Sequence, residues 1–313
     1  MNSNLKRLAV TSFAALTAGS AFAADMPGPY DPPQPVVYEP VPGKQMFYEL
    51  DVYGGWTWRG GDALGIAEDD SYGLIGGGGK VGWFAPNDYY VQFDVDAESA
   101  FADASDDTYA GSIQGIAHVG RDFNGMTRAG VFGGIGRGYN DVSPDSATYW
   151  VAGPEIQYRT GNWILTGQAG YLDVFDETRD EVLGDAFFAR AAAAHFFNGG
   201  RTKLQGEILG AWGEQDFDGA SPDDLDVVAF GAELEHQLKT FESGNLMSGF
   251  VGYRAMIYDE DFGGGSDKID DHTVMVGLRI RSGGATLQEA LSNGTSFDSP
   301  AFGAITQGAT AVD

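Results

Sequence analysis

Apolar and polar residues alternate along this chain in segments of about ten residues, and such segments recur roughly twelve times. A β-strand directs successive side chains to opposite faces, so an alternating segment predicts a strand with one apolar and one polar face. The first segment, 46–59, shows the pattern clearly. Its apolar face would carry Met46, Tyr48, Leu50, Val52, Trp56 and Trp58. Its polar face would carry Glu49, Asp51, Tyr53, Thr57 and Arg59.

The alternation predicts twelve strands with approximate limits. They are 46–59, 72–85, 89–100, 109–121, 127–138, 148–159, 163–173, 186–197, 202–213, 226–238, 247–258 and 272–281. The second, fifth and eighth segments are rich in Gly or Ala, so their prediction rests partly on the regular spacing of the series.

Short and long connections follow each other in strict turn between these strands. The short ones, which contain Gly, Pro or Asn, are 86–87, 122–125, 160–161, 198–201 and 239–245. The long ones are 60–71, 101–108, 139–147, 174–185, 213–225 and 259–271. Outer-membrane barrels have short periplasmic turns and long extracellular loops. The sequence therefore predicts an all-β, transmembrane, antiparallel up-and-down β-barrel of about twelve strands, with 10–14 as the range and both termini in the periplasm.

The segments outside the predicted barrel (45–281) have compositions of their own. Residues 1–23 are typical of a signal peptide, with Lys6 and Arg7 before a short apolar stretch and Ala21-Phe22-Ala23 as the cleavage site. Residues 24–44 are Pro-rich and predict an extended periplasmic linker. The chain continues past the last strand as the tail 282–313, which either remains in the periplasm or folds into the lumen as a plug.

The charge of the chain excludes one class of partner and suggests others. With 45 acidic and 18 basic residues the formal charge is −27, so nucleic-acid binding is excluded. There is no cysteine, hence no thiol chemistry. The acidic long connections could bind divalent cations that bridge to lipopolysaccharide, or they could form a solvated acidic surface. The expected partners are outer-membrane lipid and lipopolysaccharide, the barrel assembly machinery and small solutes.

Charged residues of both signs fall on the predicted inward face. The candidates for lining a pore are Glu49, Asp51, Asp94, Asp96, Glu98, Arg128, Arg190, Glu207, Glu233, Arg254 and Arg279. Arg128, Arg190 and Arg254 opposite Asp94, Asp96 and Glu98 would form the constriction and set the ion preference. The alternative is a network of ion pairs that fills the lumen, because a barrel of about eight strands is filled by side chains whereas 16 or more leave a channel.

A hydrolytic site on this barrel would need a nucleophile and a base within hydrogen-bond reach of each other. His118 is predicted to face inward on the same strand as Ser112, but six residues of strand separate them by about 20 Å. A serine from another strand could still meet His118. We predict no enzyme, and we identify no catalytic residue, no cofactor and no metal site.

The signal peptide, the linker ADMPGPYDPPQP, the aromatic strand FYELDVYGGWTWRG and the GATL-containing tail together resemble a porin-like proteobacterial outer-membrane protein. The tail departs from the terminal aromatic strand with which many such barrels end. The resemblance implies a location in the Gram-negative outer membrane and passive diffusion of small hydrophilic solutes or ions. The alternatives are a closed structural or adhesive barrel with acidic surface loops and, less favoured, an outer-membrane lipid hydrolase.

Overall fold

The computed structural model of this protein describes most of the predicted barrel and part of the tail. The described residues are 46–61, 70–85, 87–101, 109–140, 146–175, 183–215, 223–262, 265–294 and 297–307. The predicted signal peptide, the Pro-rich linker and most of the acidic long connections lie outside these residues.

Twelve strands and two short helices make up the described chain. The strands are β1 (Met46–Gly61), β2 (Asp70–Phe84), β3 (Tyr89–Phe101), β4 (Tyr109–Phe123), β5 (Thr127–Asn140), β6 (Ser146–Thr160), β7 (Trp163–Val174), β8 (Leu183–Phe197), β9 (Thr202–Gln215), β10 (Asp223–Thr240), β11 (Leu246–Phe262) and β12 (Gly265–Arg281). The helices are α1 (Leu287–Asn293) and α2 (Phe302–Gln307).

The strands form one closed barrel in which each strand pairs with its neighbours in the chain. β1 and β12 pair in antiparallel register and close the barrel, with Glu49 opposite Arg281 and Asp51 opposite Arg279. This confirms the predicted antiparallel up-and-down architecture and the predicted strand count. Closure leaves no strand with an unpaired edge, which is the condition for a sheet to exist in lipid.

The two ends of the barrel differ in their connections. At one end, which we call the short-turn end, neighbouring strands join through two to five residues, as between β4 and β5. Asn124 and Gly125 both have positive φ values there, +57° and +68°, and such residues allow a tight hairpin whose twist matches that of the strands. We call the opposite end the long-connection end.

The predicted long connection 259–271 is wrong in the structure. β11 continues to Phe262 and β12 begins at Gly265, and the two strands remain paired up to these residues. Lys268 lies opposite Asp259 in the ladder, and its Nζ is 3.0 Å from Asp259 Oδ2. A cross-strand pair of opposite charges stabilises the ladder, so an acidic segment that suggested a loop forms paired strands instead.

The outer surface of the barrel is a broad apolar belt between two rings of aromatic residues. On β1 the alternation is as predicted, because Leu50 is 56 % exposed whereas Glu49 is 1 % exposed. The exposed ring at the short-turn end contains Trp83, Tyr89, Phe123, Tyr158, Trp163 and Phe197. The ring at the long-connection end contains Trp56, Trp58, Phe101, Phe175, Phe187 and Trp212.

The height of this belt can be compared with the thickness of a bilayer. Phe187 and Phe197 belong to opposite rings and lie ten residues apart on β8, or about 33 Å along the strand. At a typical strand tilt of about 40° this corresponds to about 25 Å of height, the usual apolar band of a transmembrane barrel. None of the helices in the described residues is both long and apolar enough to cross a membrane.

The interior has two regions of different chemistry. From the middle of the barrel to the long-connection end, most inward side chains are apolar and form what we call the apolar core, and the buried Arg59–Asp271 ion pair at 2.8 Å lies in the same part of the lumen. The apolar core includes Tyr72, Leu74, Phe132, Tyr149, Val151, Leu172, Leu183, Phe188, Leu225, Val227, Met256, Tyr258 and Ile269. Towards the short-turn end the inward side chains are mostly charged. The expectation of a charged inward face therefore holds mainly towards the short-turn end of the lumen.

Candidate functional site

The described part of the tail, 282–294 and 297–307, runs inside the barrel from the short-turn end into the apolar core. α1 begins after Thr286, whose side chain accepts a hydrogen bond from the Glu289 amide and caps the helix. The apolar face of α1 carries Leu287, Ala290 and Leu291. These residues pack against the inner wall of β7, β8 and β11 at Ile164, Ala194, Phe196 and Leu246. α1 therefore occupies part of the short-turn mouth.

Two arginines of the wall hold the carboxyl end of α1. Arg128 Nη1 donates to the Gly294 carbonyl at 3.2 Å, and Arg159 donates to the Ser292 carbonyl. The carbonyls at the carboxyl end of a helix have no partner within the helix and carry partial negative charge. An arginine there supplies both a hydrogen-bond donor and a positive charge. The arginines thus fix the point at which the tail enters the lumen.

The segment 297–301 is held by side chains of β3 and β4. The ring of Phe297 stacks between Tyr90 and His118, with centroid distances of 5.5 and 5.8 Å. Gln92 donates to the Phe297 carbonyl at 2.7 Å, and Gln114 donates to the Pro300 carbonyl at 2.9 Å. Because these amides satisfy backbone groups that are cut off from water, the segment has a defined path through the barrel.

α2 completes the apolar core. The Phe302 ring meets Phe188 at 5.0 Å in an edge-to-face arrangement, and Ile305 is buried in the same cluster. The Tyr258 hydroxyl donates to the Ala304 carbonyl at 2.9 Å. The tail therefore fills space at the centre of the barrel that the side chains of the twelve strands leave open.

A cavity of about 230 Å³ remains in the lumen beside the tail. The tail borders it with residues 298–301 and Ile305, and the wall of β8–β12, β1 and β2 forms most of the rest. The tail thus lies against one side of the lumen and leaves space along the other. Of the predicted pore-lining residues, the cavity is lined by Glu49, Asp51, Asp96, Arg190, Glu207, Glu233, Arg254 and Arg279.

The wall of this cavity is a dense network of ion pairs, which we call the charged cluster. At one centre of it, Glu49 accepts from Arg281 Nε at 2.5 Å and lies 3.5 Å from both Lys80 and Arg279. Such a network offsets the desolvation of its members only when each charge has several partners of opposite sign.

Glu235 is a second centre of the charged cluster. It pairs with Arg281 and lies 3.0 Å from both Lys203 and Arg279. Glu233 extends the cluster into the cavity, with Lys203 at 2.8 Å and Arg279 at 3.0 Å. Because Arg279 and Arg281 connect the two centres, the charges of β1, β9, β10 and β12 act as one unit.

Asp298 of the tail joins the charged cluster by pairing with Lys80. Burial alone would raise the pKa of Asp298, but Lys80, followed by Lys203 and Arg190, holds that pKa well below its usual range. No sequence pattern indicates this residue, because 294–301 has no strand periodicity that would place Asp298 on any face. Lys80 and Lys203 also line the cavity.

Three of the predicted pore-lining residues lie elsewhere. Arg128 is at the short-turn end, near Asp122 at 3.4 Å and over the rings of Phe84 and Tyr90. The predicted constriction placed Arg128 opposite Asp94, Asp96 and Glu98. Its position near the end of its strand and the α1 carbonyls that it binds put it outside the cavity lining.

Asp94 and Glu98 also lie outside the cavity lining. Asp94 is covered by the tail, because the Ser299 hydroxyl donates to it at 3.1 Å. Glu98 is buried and bonds the Tyr53 hydroxyl at 2.9 Å and Arg254 at 3.3 Å. Of the predicted constriction, the Arg254–Glu98 pair is therefore the contact that the structure brings together.

The fold brings Ser299 close to His118. A serine, a histidine and a carboxylate in this order resemble the catalytic groups of serine hydrolases. Ser299 Oγ is 3.3 Å from His118 Nε2, and Glu155 is 2.8 Å from Nδ1. Asp94, however, lies 3.2 Å from the same Nε2. Carboxylates at both ring nitrogens favour an imidazolium, which donates at both positions and has no lone pair for a serine proton. We therefore conclude that these contacts hold the tail in place.

Within the described residues, no cluster of three or more His, Asp or Glu side chains is arranged to hold a metal ion. Of the acidic long connections in which divalent cations were considered, 259–271 largely forms paired strands, and much of the others lies outside those residues.

No protein-family model matches the chain, and no curated protein matches it. Among solved structures, it is similar to an outer membrane channel from Pseudomonas putida F1, with 14% identity and a TM-score of 0.48 over 80% of this chain and 99% of that one. The Pseudomonas aeruginosa protein OccK2 gives 9% identity and a TM-score of 0.37 over 75% and 98% of the two chains. The Pseudomonas putida toluene transporter TodX gives 8% identity and a TM-score of 0.38 over 77% of this chain and 90% of that one. The function of this chain must therefore be inferred from its own geometry.

Proposed function

We propose that this protein spans the Gram-negative outer membrane as a channel for small solutes, and that the cavity beside the tail is the solute path. The exterior supports the location, because a closed sheet with an apolar belt of bilayer height and two aromatic rings fits lipid better than water. An exposed apolar surface of this extent would otherwise cause aggregation.

One observation carries the channel proposal, namely that the lumen retains a charged cavity of about 230 Å³ although the tail lies inside it. If the wall contributed to stability alone, apolar side chains in place of the buried ion pairs would make the folded protein more stable. The other part of this lumen is packed mainly in that way. Charges of both signs around a cavity suit the passage of small hydrophilic solutes or ions.

The second candidate function is a closed structural barrel, and the apolar core favours it. Phe302 and Ile305 fill the lumen where β2 and β4–β12 contribute apolar side chains, and α1 covers part of the other mouth. A barrel that remained closed in this way would pass no ions. Its function would be structural or adhesive, through the acidic connections at the outer surface.

Single-channel recording in a planar bilayer distinguishes the two candidates. The refolded protein 24–313 should give stable ohmic steps if the cavity is a path. In Asp96→Lys, a charge reversal in the cavity lining, the reversal potential in a salt gradient should move towards anion preference. The matched control Glu242→Lys makes the same change in an exposed turn at the short-turn end and should leave the reversal potential unchanged.

Silence from a barrel that is folded, as judged by its altered migration on an unheated gel, would overturn the channel proposal and favour the closed barrel. Conductance with equal shifts in Asp96→Lys and Glu242→Lys would leave a channel but remove the cavity as its path.

A further inference from the structure

One basic side chain of the wall pairs with a tail carboxylate, and two more from other strands line the same cavity. Of the two acidic residues in the described tail, Glu289 and Asp298, only Asp298 lines the cavity. Lys80 of β2 pairs with its carboxylate. Lys203 of β9 and Arg190 of β8 line the same cavity as Asp298. β8 and β9 are neighbours, but β2 pairs with neither of them. Strand pairing alone therefore does not bring Lys80 to the other two charges.

Polar groups also fix the position of Asp298. Arg190 Nη1 donates to the Asp298 carbonyl at 2.9 Å, and the Gln205 amide lies 3.4 Å from Oδ2. The Asp298 side chain nevertheless remains 38 % exposed, because it faces the cavity. The carboxylate thus sits in a site with a positive charge and a hydrogen-bond donor behind it and open space in front.

Without Asp298, Lys80 would lose its nearest carboxylate. The remaining acidic partner of Lys80 in ion-pair range is Glu49 at 3.5 Å. Glu49 is already shared, with Arg281 at 2.5 Å and Arg279 at 3.5 Å. Arg279 and Arg281 also pair with Glu235, whereas Lys80 would keep a shared carboxylate in ion-pair range, so the position taken by Asp298 favours a second anion.

We infer that Lys80, Arg190 and Lys203 form a carboxylate-binding site, which Asp298 occupies in the closed form and which a small organic acid takes over when the Asp298 side chain turns into the cavity. The inference rests on the proposed channel and specifies its solute class. Exchange of one carboxylate for another keeps the charge on Lys80 balanced, so it requires a local movement of one side chain and leaves the rest of the tail in place.

The rest of the cavity defines the body of such a solute. Phe250, Met256, Met275 and Ile305 line it beside the charged residues. Apolar walls next to a few polar groups are typical of sites that bind an organic molecule and fix its orientation. The fitting solute is therefore a carboxylate on a compact apolar body, with benzoate as a suitable probe and benzamide as its neutral counterpart of the same shape.

Isothermal titration calorimetry of the full-length protein in detergent tests the inference. Asp298→Asn keeps the shape of the side chain but removes the negative charge that competes for Lys80, so this variant should bind sodium benzoate at least about tenfold more tightly than the unmodified protein. Glu289→Gln removes the same charge from the tail outside the cavity and should leave benzoate affinity unchanged. Adding Lys80→Met to Asp298→Asn should abolish the gain, and benzamide should gain nothing in any variant.

Two results would overturn the inference. One is equal benzoate affinity in Asp298→Asn and Glu289→Gln, and the other is an equal gain for benzamide, which would indicate only a larger cavity. Single-channel recording of the same Asp298→Asn protein separates this failure from that of the channel. Ion conductance without benzoate binding rejects the carboxylate site and keeps the channel, whereas benzoate binding without conductance supports the site and rejects the channel.

Discussion

Towards the long-connection end, the lumen is packed with apolar side chains from the wall and α2, and towards the short-turn end it is packed with ion pairs. Both regions are buried, yet Tyr258 and Leu225 in the first contribute through close packing, whereas Glu235 and Arg281 in the second contribute through pairing. The cavity is bordered mainly by the charged region and also by Leu209, Met256 and Ile305 of the apolar core. The difference indicates that the charged region is maintained for a purpose other than stability, because apolar side chains would fill it at lower cost.

The largest effect should follow from removing a charge at the centre of the charged cluster. Glu235→Gln leaves Arg281, Lys203 and Arg279 without their shared carboxylate, so we expect it to lower the free energy of unfolding by about 4–5 kcal/mol. Guanidinium unfolding in detergent measures this. Glu289→Gln in the first turn of α1, where Gln can still accept the hydrogen bond from the Ala285 amide, is the control, with an expected loss below about 0.5 kcal/mol. Equal stabilities for the two variants would show that the charged cluster is not a structural unit.

A slightly smaller effect should follow from opening the apolar core. Phe302→Ala removes a buried ring between α2 and Phe188, and we expect a loss of about 3 kcal/mol, since part of the space can close by movement of the tail. Phe187→Ala, on the same strand as Phe188 but 67 % exposed on the outside, should cost much less. The same unfolding assay compares them, and a larger loss in Phe187→Ala would refute a packed core around α2.

Much of the wall could be predicted from the sequence, because the period of two depends only on neighbouring residues. Every predicted strand is present, and Leu50 and Glu49 face the predicted sides. The apolar core was missed, since inward apolar residues such as Leu74 weaken the alternation and resemble outward ones. The contact of Asp298 with Lys80 spans 218 residues, and no local pattern specifies a pairing of that kind.

A moderate effect should appear when the tail loses its carboxylate. Asp298→Asn should weaken docking of the tail by about 1 kcal/mol, because the ion pair with Lys80 is lost while the contacts of Phe297 and Phe302 remain. The chain has no cysteine, so Thr306→Cys, at a buried position of α2, provides a unique reporter. Its thiol-labelling rate should rise about fivefold with Asp298→Asn. No rise, or the same rise with Glu289→Gln, would remove Asp298 from tail docking.

The smallest effect should come from pH. The pKa of Asp298 is lowered in the folded protein, so its contribution is fully present above the unfolded value of about 3.9 and is lost as the pH falls below that value towards the folded pKa. The labelling rate of Thr306→Cys, corrected for the ionisation of the thiol, should therefore be constant between about pH 8 and pH 5. A steep rise in that range would show that another group controls docking of the tail.

The most direct test of the central claim, that the tail closes most of a lumen whose charged side remains a path, is the conductance of the protein with and without its tail. The protein 24–281, checked for folding by its migration on an unheated gel, should give single-channel steps several-fold larger than 24–313, since the cross-section occupied by 282–307 becomes available. Equal conductance of the two proteins, or silence from a folded 24–281, would contradict the account.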